Sequence, residues 1–253
     1  MDYVLITGAT SGIGKEFARY YASAAKNLII VGRNRDRLDD LKMELERKFP
    51  IEVVIITLDL ASQDAFASLA RFINESTIDV SLVINNAGIA TSGPAEQVPS
   101  KRDYEMVMVN IYSLMEITKL FLDYFYQRNK GAILNVASTG AYAPGPFTAS
   151  YFASKSFVLS YTQALNFEAK ANGVYVGVLC PGTTATNLFQ ASNQKCPRWA
   201  MDPAKVARIG ARQINREKPV QICGWTNQLL TMLPKRIKVS GIARIKKNGS
   251  TEI

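Results

Sequence analysis

Residues 3–14 read YVLITGATSGIG, with glycines at positions 8, 12 and 14. The apolar run Tyr3–Thr7 predicts a β-strand, and the glycines predict a tight turn into a helix that begins near Ile13. In such a turn, backbone N–H groups can approach a pyrophosphate, and the helix N-terminus adds a partial positive charge. The stretch therefore predicts a dinucleotide site. A tight turn without a ligand is the alternative, since the glycine spacing is GxxxGxG and not the commoner GxGxxG.

The rest of the chain alternates short β-branched runs with longer amphipathic segments. Strands are predicted at Tyr3–Thr7, Leu28–Val31, Val53–Thr57, Leu82–Asn85, Ala132–Val136, Tyr175–Cys180 and Val220–Ile222. Helices are predicted at Ile13–Ala24, Arg35–Phe49, Gln63–Glu75, Lys101–Arg128, Tyr151–Ala171 and Pro203–Arg216. Several strands are apolar without alternation, as expected when both faces of a sheet are buried. The pattern predicts the α/β class, with a doubly wound, parallel, seven-stranded sheet in a Rossmann-type three-layer α/β/α sandwich.

Length and composition limit the possible classes of protein. The 253 residues are 47% hydrophobic and 20% charged, without repeats or linkers, which predicts a single domain over residues 1–253. The sequence contains no histidine, so Ser-His-Asp and Cys-His nucleophile systems and imidazole-bound zinc are excluded. The three cysteines lack CxxC spacing, so no disulfide scaffold and no metal site is predicted, and a reducing compartment is favoured.

Two further features concern location and partners. The N-terminus lacks the basic start of a signal peptide, and no apolar run reaches about 18 residues, so we expect a soluble, cytoplasmic protein. The net charge is +9, but basic and acidic residues are mostly interspersed, and no nucleic-acid-binding motif is present. We therefore expect no specific nucleic-acid partner.

The end of the second predicted strand distinguishes NADH from NADPH, because an acidic side chain there binds the ribose hydroxyls and repels a 2′-phosphate. The segment Val31-Gly32-Arg33-Asn34 contains no carboxylate. The planar guanidinium of Arg33 suits a phosphate monoester, and Arg37 can assist it, so NADP(H) is the predicted cofactor. The alternative is that both arginines are solvated charges at the start of a helix.

Asp59 follows the third predicted strand, where its carboxylate is placed to accept a hydrogen bond from an adenine amino group. Helix capping by Asp59 or Ser62 is the competing interpretation.

A set of three polar residues predicts proton transfer. Tyr151 and Lys155 are four residues apart in a predicted helix, so they lie on the same face. A free tyrosine has a pKa of about 10, and a neighbouring ammonium lowers it. Ser138 follows the fifth strand, at the sheet edge where ligands of such folds bind, so its hydroxyl can hold a substrate carbonyl oxygen. The alternatives are that Tyr151 is a core aromatic residue, that Lys155 is a surface charge and that Ser138 forms a turn.

Together, these residues resemble the short-chain dehydrogenase/reductase family. The motifs that carry the resemblance are Thr7-Gly8-x-x-x-Gly12-Ile13-Gly14, Asp59, Asn85-Asn86-Ala87-Gly88, Asn110, Ser138, Tyr151-x-x-x-Lys155 and Pro181-Gly182. The resemblance implies a catalytic tetrad of Asn110, Ser138, Tyr151 and Lys155. In it, Asn110 positions a water that links Lys155 to solvent, and Lys155 also holds the nicotinamide ribose.

The motifs and the resemblance together give the expected cofactor site. Its predicted residues are Gly8, Thr10, Ser11, Gly12, Ile13, Gly14, Arg33, Asn34, Arg37, Asp59, Leu60, Asn86, Ala87, Gly88, Tyr151, Lys155, Pro181, Gly182, Thr184 and Thr186. By resemblance, Thr184 and Thr186 contact the nicotinamide carboxamide. The implied reaction is hydride transfer from NADPH to a carbonyl carbon while Ser138 and Tyr151 polarise the oxygen and Tyr151 donates the proton.

The expected function is that of an NADPH-dependent reductase acting on a lipophilic ketone or a 3-oxoacyl thioester. One alternative is an NADP-dependent, hydroxysteroid-like alcohol dehydrogenase that works in the oxidative direction. A non-catalytic dinucleotide-sensing regulator is a further alternative, although such a protein is expected to lack the tyrosine or the lysine.

Three segments bear on substrate and partners. A lid is expected near residues 186–201, and Tyr142, Pro144, Pro146 and Phe147 suggest an apolar substrate pocket. The long middle helix, predicted at Lys101–Arg128, is apolar on more than one face between Met106 and Phe125. Its second apolar face is explained either by burial within the monomer or by a homodimer or homotetramer contact. The tail, residues 225–253, has six basic residues and one acidic residue. It suggests contact with an anionic membrane surface or a partner subunit, with simple solvation as the alternative.

Overall fold

The computed structural model describes residues 2–187 and 196–249, and it confirms the predicted doubly wound parallel sheet. The strands are β1 (Asp2–Thr7), β2 (Asn27–Gly32), β3 (Val53–Thr57), β4 (Asp79–Asn85), β5 (Gly131–Val136), β6 (Val174–Cys180) and β7 (Val220–Ile222). All seven belong to one sheet in the order β3-β2-β1-β4-β5-β6-β7, and every pairing is parallel.

Helices cover both faces of this sheet. They are α1 (Gly12–Ser23), α2 (Arg35–Lys48), α3 (Ala65–Glu75), α4 (Ser100–Val107), α5 (Leu114–Tyr126), α6 (Ala149–Lys170), α7 (Pro203–Asn215), α8 (Trp225–Met232) and α9 (Lys235–Gly249). Alternate side chains of β1 enter the two layers: Val4 and Ile6 pack into the core that includes α1 and α7, and Tyr3 and Leu5 pack against α3 and α5. Burial on both faces accounts for the strands that are apolar throughout.

The strand order reverses between β1 and β4, and this reversal places a crevice at the carboxyl ends of the strands. The Thr7 hydroxyl ties the two strand ends together, since it accepts hydrogen bonds from the backbone N–H groups of Asn86 and Ala87, both at 3.0 Å. The glycine turn after β1 and the segment after β4 therefore lie directly beside each other at the crevice.

The predicted middle helix Lys101–Arg128 is not one continuous α-helix. A π-helical turn, Met108–Ser113, separates α4 from α5. Asn110 lies in this turn, and its side chain hydrogen-bonds to the backbone of Ile89. A periodicity argument cannot detect one widened turn, because the helix continues beyond it with its buried side chains in place.

Burial explains most of the apolar excess on this middle segment, since Met106, Ile117, Phe121 and Phe125 are buried. Large side chains nevertheless remain in water on the same segment, where Val107 is 48% exposed. Tyr104 and Tyr112 are also exposed.

The C-terminal segment contains α8 and α9, which the sequence did not predict as helices. Pro234 lies between them. Over residues 2–187 and 196–249, none of the helices has the length and apolar character needed to cross a membrane.

Candidate active site

A cleft of about 590 Å³ lies at the carboxyl ends of the strands. Its walls include these predicted site residues: Gly8, Thr10, Ser11, Gly12, Ile13, Arg33, Asn34, Arg37, Asp59, Leu60, Asn86, Ala87, Gly88, Ser138, Tyr151, Lys155, Pro181, Gly182, Thr184 and Thr186. Gly14 and Asn110 are the predicted residues that lie behind the walls. The structure thus brings the glycine turn, the arginines and the proton-transfer residues into one continuous space.

The glycine turn is shaped by close backbone approach. Gly8 has φ +67°, and a Cβ on it would lie 2.9 Å from the Cα of Ala87. Gly12 has φ +55°, and its Cβ would lie 2.8 Å from the Cγ2 atom of Thr186. A Cβ on Gly14 would lie 2.3 Å from the Gly8 carbonyl oxygen, so Gly14 allows the helix to pack on the turn and does not face the cleft.

The N-terminus of α1 opens onto this cleft without a cap. Ser11 stands at the N-cap position but makes no side-chain capping hydrogen bond, and the first turn holds no acidic residue. The first backbone N–H groups of a helix have no partner within the helix, and they carry the positive end of its dipole. This set of donors fits the pyrophosphate of a dinucleotide.

The far end of the cleft carries two exposed arginines, Arg33 and Arg37. Within the part of the chain that the structure describes, neither has a carboxylate within 4.0 Å, whereas the intervening Arg35 pairs with Asp39 at 2.7 Å. Asn34 caps α2, because its Oδ1 accepts a hydrogen bond from the Arg37 backbone N–H at 2.8 Å. Two cations without an anionic partner at this end of the cleft fit the 2′-phosphate of NADP(H).

Asp59 lines the same end and closes a local turn, since its Oδ1 accepts a hydrogen bond from the Ala61 backbone N–H at 3.0 Å. The N-cap position of α3 belongs to Asp64, so neither Asp59 nor Ser62 occupies it. The carboxylate of Asp59 has its second oxygen available for a ligand donor such as an adenine amino group.

The opposite end of the cleft holds Ser138, Tyr151 and Lys155. Tyr151 and Lys155 lie in the N-terminal half of α6, and the Lys155 Nζ is 5.9 Å from the centroid of the Tyr151 ring. Ser138 hydrogen-bonds to the Tyr151 phenol. The Ser138 Oγ also accepts a hydrogen bond from the Gly140 backbone N–H at 3.0 Å, which fixes the direction of the hydroxyl.

The electrostatics of this pair differ from the sequence-based expectation. Burial raises the pKa of Tyr151, and the hydrogen bond from Ser138 opposes that rise only in part. Burial also lowers the pKa of Lys155 to about 8, and its Nζ donates a hydrogen bond to the Val136 carbonyl oxygen at 2.9 Å. The predicted lowering of the phenol pKa by Lys155 is therefore wrong for this structure, because burial is the main cause of the shift and Lys155 is not among the groups that cause it. The phenol is protonated at neutral pH and can donate a proton.

Asn110 is fully buried, and all the polar atoms of its side chain are engaged. Its Oδ1 accepts from the Ile89 N–H at 2.9 Å, and its Nδ2 donates to the Ile89 carbonyl oxygen at 2.9 Å and to the Ser154 Oγ at 3.0 Å. Ser154 in turn donates to the Tyr151 carbonyl oxygen at 2.7 Å. The side chain of Asn110 thus connects the segment after β4 to the helical turn that carries Tyr151.

A series of buried, hydrogen-bonded side chains lies beneath the end of the cleft that holds Ser138, Tyr151 and Lys155. The motifs in the sequence did not predict most of this series. Asn85 Nδ2 donates to Asn135 Oδ1 at 2.9 Å and to Thr118 Oγ1 at 3.1 Å, and Asn135 Nδ2 donates to Thr162 Oγ1 at 3.0 Å. The available signal was one asparagine near the end of each of two strands, directly after an apolar run. The series connects β4, β5, α5 and α6 beneath the cleft.

The substrate end differs from the predicted apolar pocket. Tyr142, Pro144, Pro146 and Phe147 are not among the lining residues. In their place the cleft is lined by Thr91, Ser92, Gly140, Thr148 and Phe152. A short 3₁₀ turn, Thr139–Tyr142, carries the chain away from the cleft, and the Tyr142 phenol hydrogen-bonds to Cys180.

Residues 188–195 of the expected lid lie outside the described residues. At its two ends, Thr184 and Met201 form an isolated parallel β-bridge. The Ala185 N–H donates to the Met201 carbonyl oxygen at 2.9 Å, and the Met201 N–H donates to the Thr183 carbonyl oxygen at 2.8 Å.

The chain belongs to the short chain dehydrogenase family, whose sequence pattern it matches over residues 2–197. Among curated proteins, it is similar to the very-long-chain 3-oxoacyl-CoA reductase of Homo sapiens, with 31% identity over 191 residues. That match covers 74% of this chain and 61% of the relative. The enzyme of the same name from Pyrenophora tritici-repentis is 35% identical over 69% of this chain and 52% of its own length. The match thus spans about half to three fifths of these relatives.

Solved structures give the same family assignment. A short-chain dehydrogenase from Sphingobium yanoikuyae in complex with NADPH is 26% identical, with a TM-score of 0.85 over 100% of this chain and 96% of that one. The bulky-bulky ketone specific alcohol dehydrogenase from Comamonas testosteroni is 27% identical, with a TM-score of 0.81 over 100% and 95% of the two chains.

Proposed function

We propose that this chain is an NADP(H)-dependent carbonyl reductase that acts on a lipophilic ketone or a 3-oxoacyl thioester. The observation that carries the proposal is the position of Ser138, Tyr151 and Lys155 in a cleft that continues to the uncapped N-terminus of α1. The donors along this cleft suit a dinucleotide, and the protonated phenol lies where the cleft can hold a carbonyl group.

The preference for NADP(H) rests on Arg33 and Arg37. Their guanidinium groups would hold the 2′-phosphate, the α1 N-terminus would hold the pyrophosphate, and Lys155 would hold the nicotinamide ribose. The NADPH complex of the Sphingobium enzyme supports this assignment.

When bound, NADPH supplies a hydride to the carbonyl carbon. Ser138 donates a hydrogen bond to the carbonyl oxygen, with its hydroxyl held in place by the Gly140 N–H. Tyr151 transfers its phenolic proton to the same oxygen as negative charge develops there. Lys155 lies beside the ring and favours the phenolate that this transfer leaves. Because burial keeps Tyr151 protonated at neutral pH, its phenol can serve as the proton donor that reduction requires.

The substrate class is drawn from the relatives and from the shape of the cleft. The curated relatives reduce very-long-chain 3-oxoacyl-CoA according to their names, and the Comamonas enzyme is specific for bulky ketones. Phe152 offers an apolar wall, and Thr91 and Thr148 add hydroxyl groups. A bulky carbonyl compound with a polar group near the reacting carbon fits this combination.

A substrate panel tests the proposal. Purified protein is mixed with ketones, aldehydes and 3-oxoacyl thioesters, with NADPH or NADH, and the loss of reduced-nicotinamide absorbance is followed. We expect turnover with NADPH on at least one bulky carbonyl substrate. NADPH binding without turnover on any of them would favour a dinucleotide-sensing regulator, and a preference for NADH would refute the role of Arg33.

The proposal includes a homodimer or homotetramer formed through the middle helix. Tyr104, Val107 and Tyr112 are exposed on this segment, and Phe167 on α6 is 86% exposed. Such side chains are often covered in assemblies. Light scattering of the wild-type chain and of Val107→Asp tests this, and an unchanged mass in the variant would exclude this helix as the contact. A cytoplasmic location and a single domain over residues 1–253 remain predictions.

A further inference from the structure

Helix α8 presents polar side chains to the protein and apolar side chains to water, which is the reverse of an ordinary surface helix. Its amide side chains contact the protein: Asn227 Nδ2 donates to the Cys223 carbonyl oxygen at 2.6 Å, and Gln228 Nε2 donates to the Ile222 carbonyl oxygen at 3.3 Å. Its large apolar side chains point into water. Trp225, Leu229 and Met232 follow one another at i, i+4 and i+7, and they are 72%, 56% and 80% exposed.

Neighbouring residues add further exposed apolar side chains to this stripe. Leu230 and Leu233 are exposed at the end of α8, and Ile237 is exposed in the first turn of α9. We call the six residues the C-terminal apolar face: Trp225, Leu229, Leu230, Met232, Leu233 and Ile237. Large contiguous apolar surfaces on a folded protein mark sites of interaction.

The stretch of sequence that contains this face carries charge of one sign. Between Lys218 and Thr251 the sequence has seven basic residues and no acidic residue. Lys235 and Arg236 are exposed directly beside Ile237. Exposed aromatic and aliphatic side chains bordered by cations are typical of segments that lie in the interface of an anionic bilayer.

A second copy of the chain is a poorer occupant than a lipid surface. A symmetric contact through this face would bring two positive segments together, and like charges at an interface oppose association. An anionic membrane surface provides the opposite charge and an apolar interior. We propose that α8 and the first turn of α9 dock on an anionic lipid bilayer, with Trp225, Leu229 and Met232 inserted at the headgroup boundary.

The docking face is firmly attached to the rest of the protein beside the catalytic end of the cleft. The Lys238 Nζ donates to the Thr231 carbonyl oxygen at 2.9 Å and to the Tyr142 carbonyl oxygen at 2.7 Å. Tyr142 ends the 3₁₀ turn that directly follows Ser138. Lys238 therefore holds α8 and α9 to one another and to this turn, so that docking orients the whole molecule on the bilayer.

Co-sedimentation with vesicles tests the proposal. The full chain is mixed with vesicles of phosphatidylcholine alone or of phosphatidylcholine with phosphatidylserine. We expect binding to the anionic vesicles that weakens at high salt. The variant Trp225→Ser/Leu229→Ser/Met232→Ser removes the stripe, and Lys235→Gln/Arg236→Gln removes two charges. Each variant should lower the partition coefficient by about tenfold or more. For the charge variant, the reason is that one basic residue near an anionic surface contributes about fivefold.

Matched controls come from α2, which covers β2 and β3 at the opposite edge of the sheet from β7. Met43→Ser removes an apolar side chain that is 63% exposed. Arg47→Gln/Lys48→Gln removes the same charge as the tail variant. Both controls should bind vesicles as the wild type does.

The fluorescence of Trp225 gives an independent measure of insertion. Trp199 and Trp225 are the two tryptophans, so Trp199→Phe leaves Trp225 as the one reporter. Its emission should shift to the blue on addition of anionic vesicles, and brominated lipids should quench it.

Recovery of the protein in the supernatant with both vesicle types would overturn the proposal, and so would equal loss of binding in the α2 controls. Self-association that the stripe variant abolishes, without vesicle binding, would assign the face to a second copy. These measurements involve no turnover, so their outcome is independent of the reductase proposal.

Discussion

The two ends of the cleft hold their polar groups in opposite ways. At the catalytic end, Lys155 is 4% exposed and Asn110 is fully buried, and both are hydrogen-bonded to the main chain. At the far end of the cleft, Arg33 and Arg37 are exposed, and no carboxylate among the described residues lies within ion-pair distance of them. The side chains at the catalytic end are thus held in place by the protein itself. The two arginines at the other end have no ion-pair partner among the described residues.

The difference fits the role proposed for each end. Proton transfer needs donor and acceptor within hydrogen-bond distance, so the catalytic groups must be held in place by burial and by hydrogen bonds. Recognition of a phosphate needs positive charge, which acts over several ångströms and tolerates a mobile side chain. Substitutions at the buried end should therefore change turnover and stability, and those at the exposed end should change the affinity for the cofactor.

The largest effect is expected for Tyr151→Phe. The variant loses the proton donor, and general acid catalysis is typically worth about 10²–10⁴-fold in rate. We expect turnover to fall by at least that factor with little change in the affinity for NADPH, measured by fluorescence titration. The control Tyr161→Phe alters a tyrosine of the same helix that stacks on Phe157 and should leave turnover unchanged. Comparable activity in Tyr151→Phe would remove the basis of the proposed mechanism.

Lys155 should give the next largest effect, as a pH dependence of stability. Its pKa is about 8 in the folded chain against an ordinary value of 10.5, so between these values the unfolded chain binds more protons. The free energy of unfolding of the wild type should therefore rise with pH in this window relative to Lys155→Met. The rise should reach about 3 kcal/mol, since one pKa unit corresponds to about 1.4 kcal/mol. Below pH 8 the difference between the two proteins should be constant.

Urea unfolding of both proteins at several pH values measures this contribution. Subtracting the Lys155→Met curve removes the opposite slope from Cys180 and Cys223, whose thiol pKa values burial raises to about 12. Parallel curves for the two proteins across the whole range would mean that Lys155 is not desolvated in the folded chain.

At the exposed end, Arg33→Ala should raise the KM for NADPH by about tenfold and leave the KM for NADH unchanged, because a hydrogen bond to a charged group is worth about 1.5–3 kcal/mol and solvent reduces it here. Arg37→Ala should act in the same direction. Arg35→Ala is the matched control, since Arg35 pairs with Asp39 and does not line the cleft. An equal rise for both cofactors would indicate a general loss of structure at this end.

Asp59→Asn should give the smallest effect. The substitution retains an oxygen that can accept from the Ala61 N–H, and it removes the charge that we propose accepts from an adenine amino group. The KM should rise by about fivefold at most for NADPH and for NADH alike, since one neutral hydrogen bond contributes about 1 kcal/mol. Asp64→Asn, at the start of α3, serves as the control. A cofactor-specific change would place Asp59 near the 2′-phosphate instead.

The sequence predicted the parts of the fold that depend on local patterns. The strands follow from short β-branched runs, and β3 and β7 have the predicted bounds. The cleft walls were predictable because the glycine turn, Arg33, Ser138 and Pro181 each follow a strand, and the carboxyl ends of parallel strands meet at one edge.

The sequence could not predict features that depend on contacts between distant segments. The side chain of Asn110 in the π-helical turn hydrogen-bonds to the distant Ile89, and the raised pKa of Tyr151 comes from desolvation at the wall of the cleft. Tyr142 was expected in the substrate pocket because it lies between Ser138 and Tyr151, but the 3₁₀ turn directs it toward Cys180. The helices α8 and α9 were missed because their apolar side chains do not follow the inward-facing pattern of a core helix.

The bridge between Thr184 and Met201 has a consequence for engineering. The two bridged residues bring the chain on either side of the segment close together, so a segment grafted between them need not disturb the sheet. Closing a loop of twice the length costs only about 0.6 kcal/mol. Exchanging residues 187–200 for the corresponding stretch of a relative is thus a modular way to test whether this segment selects the substrate of the proposed reductase.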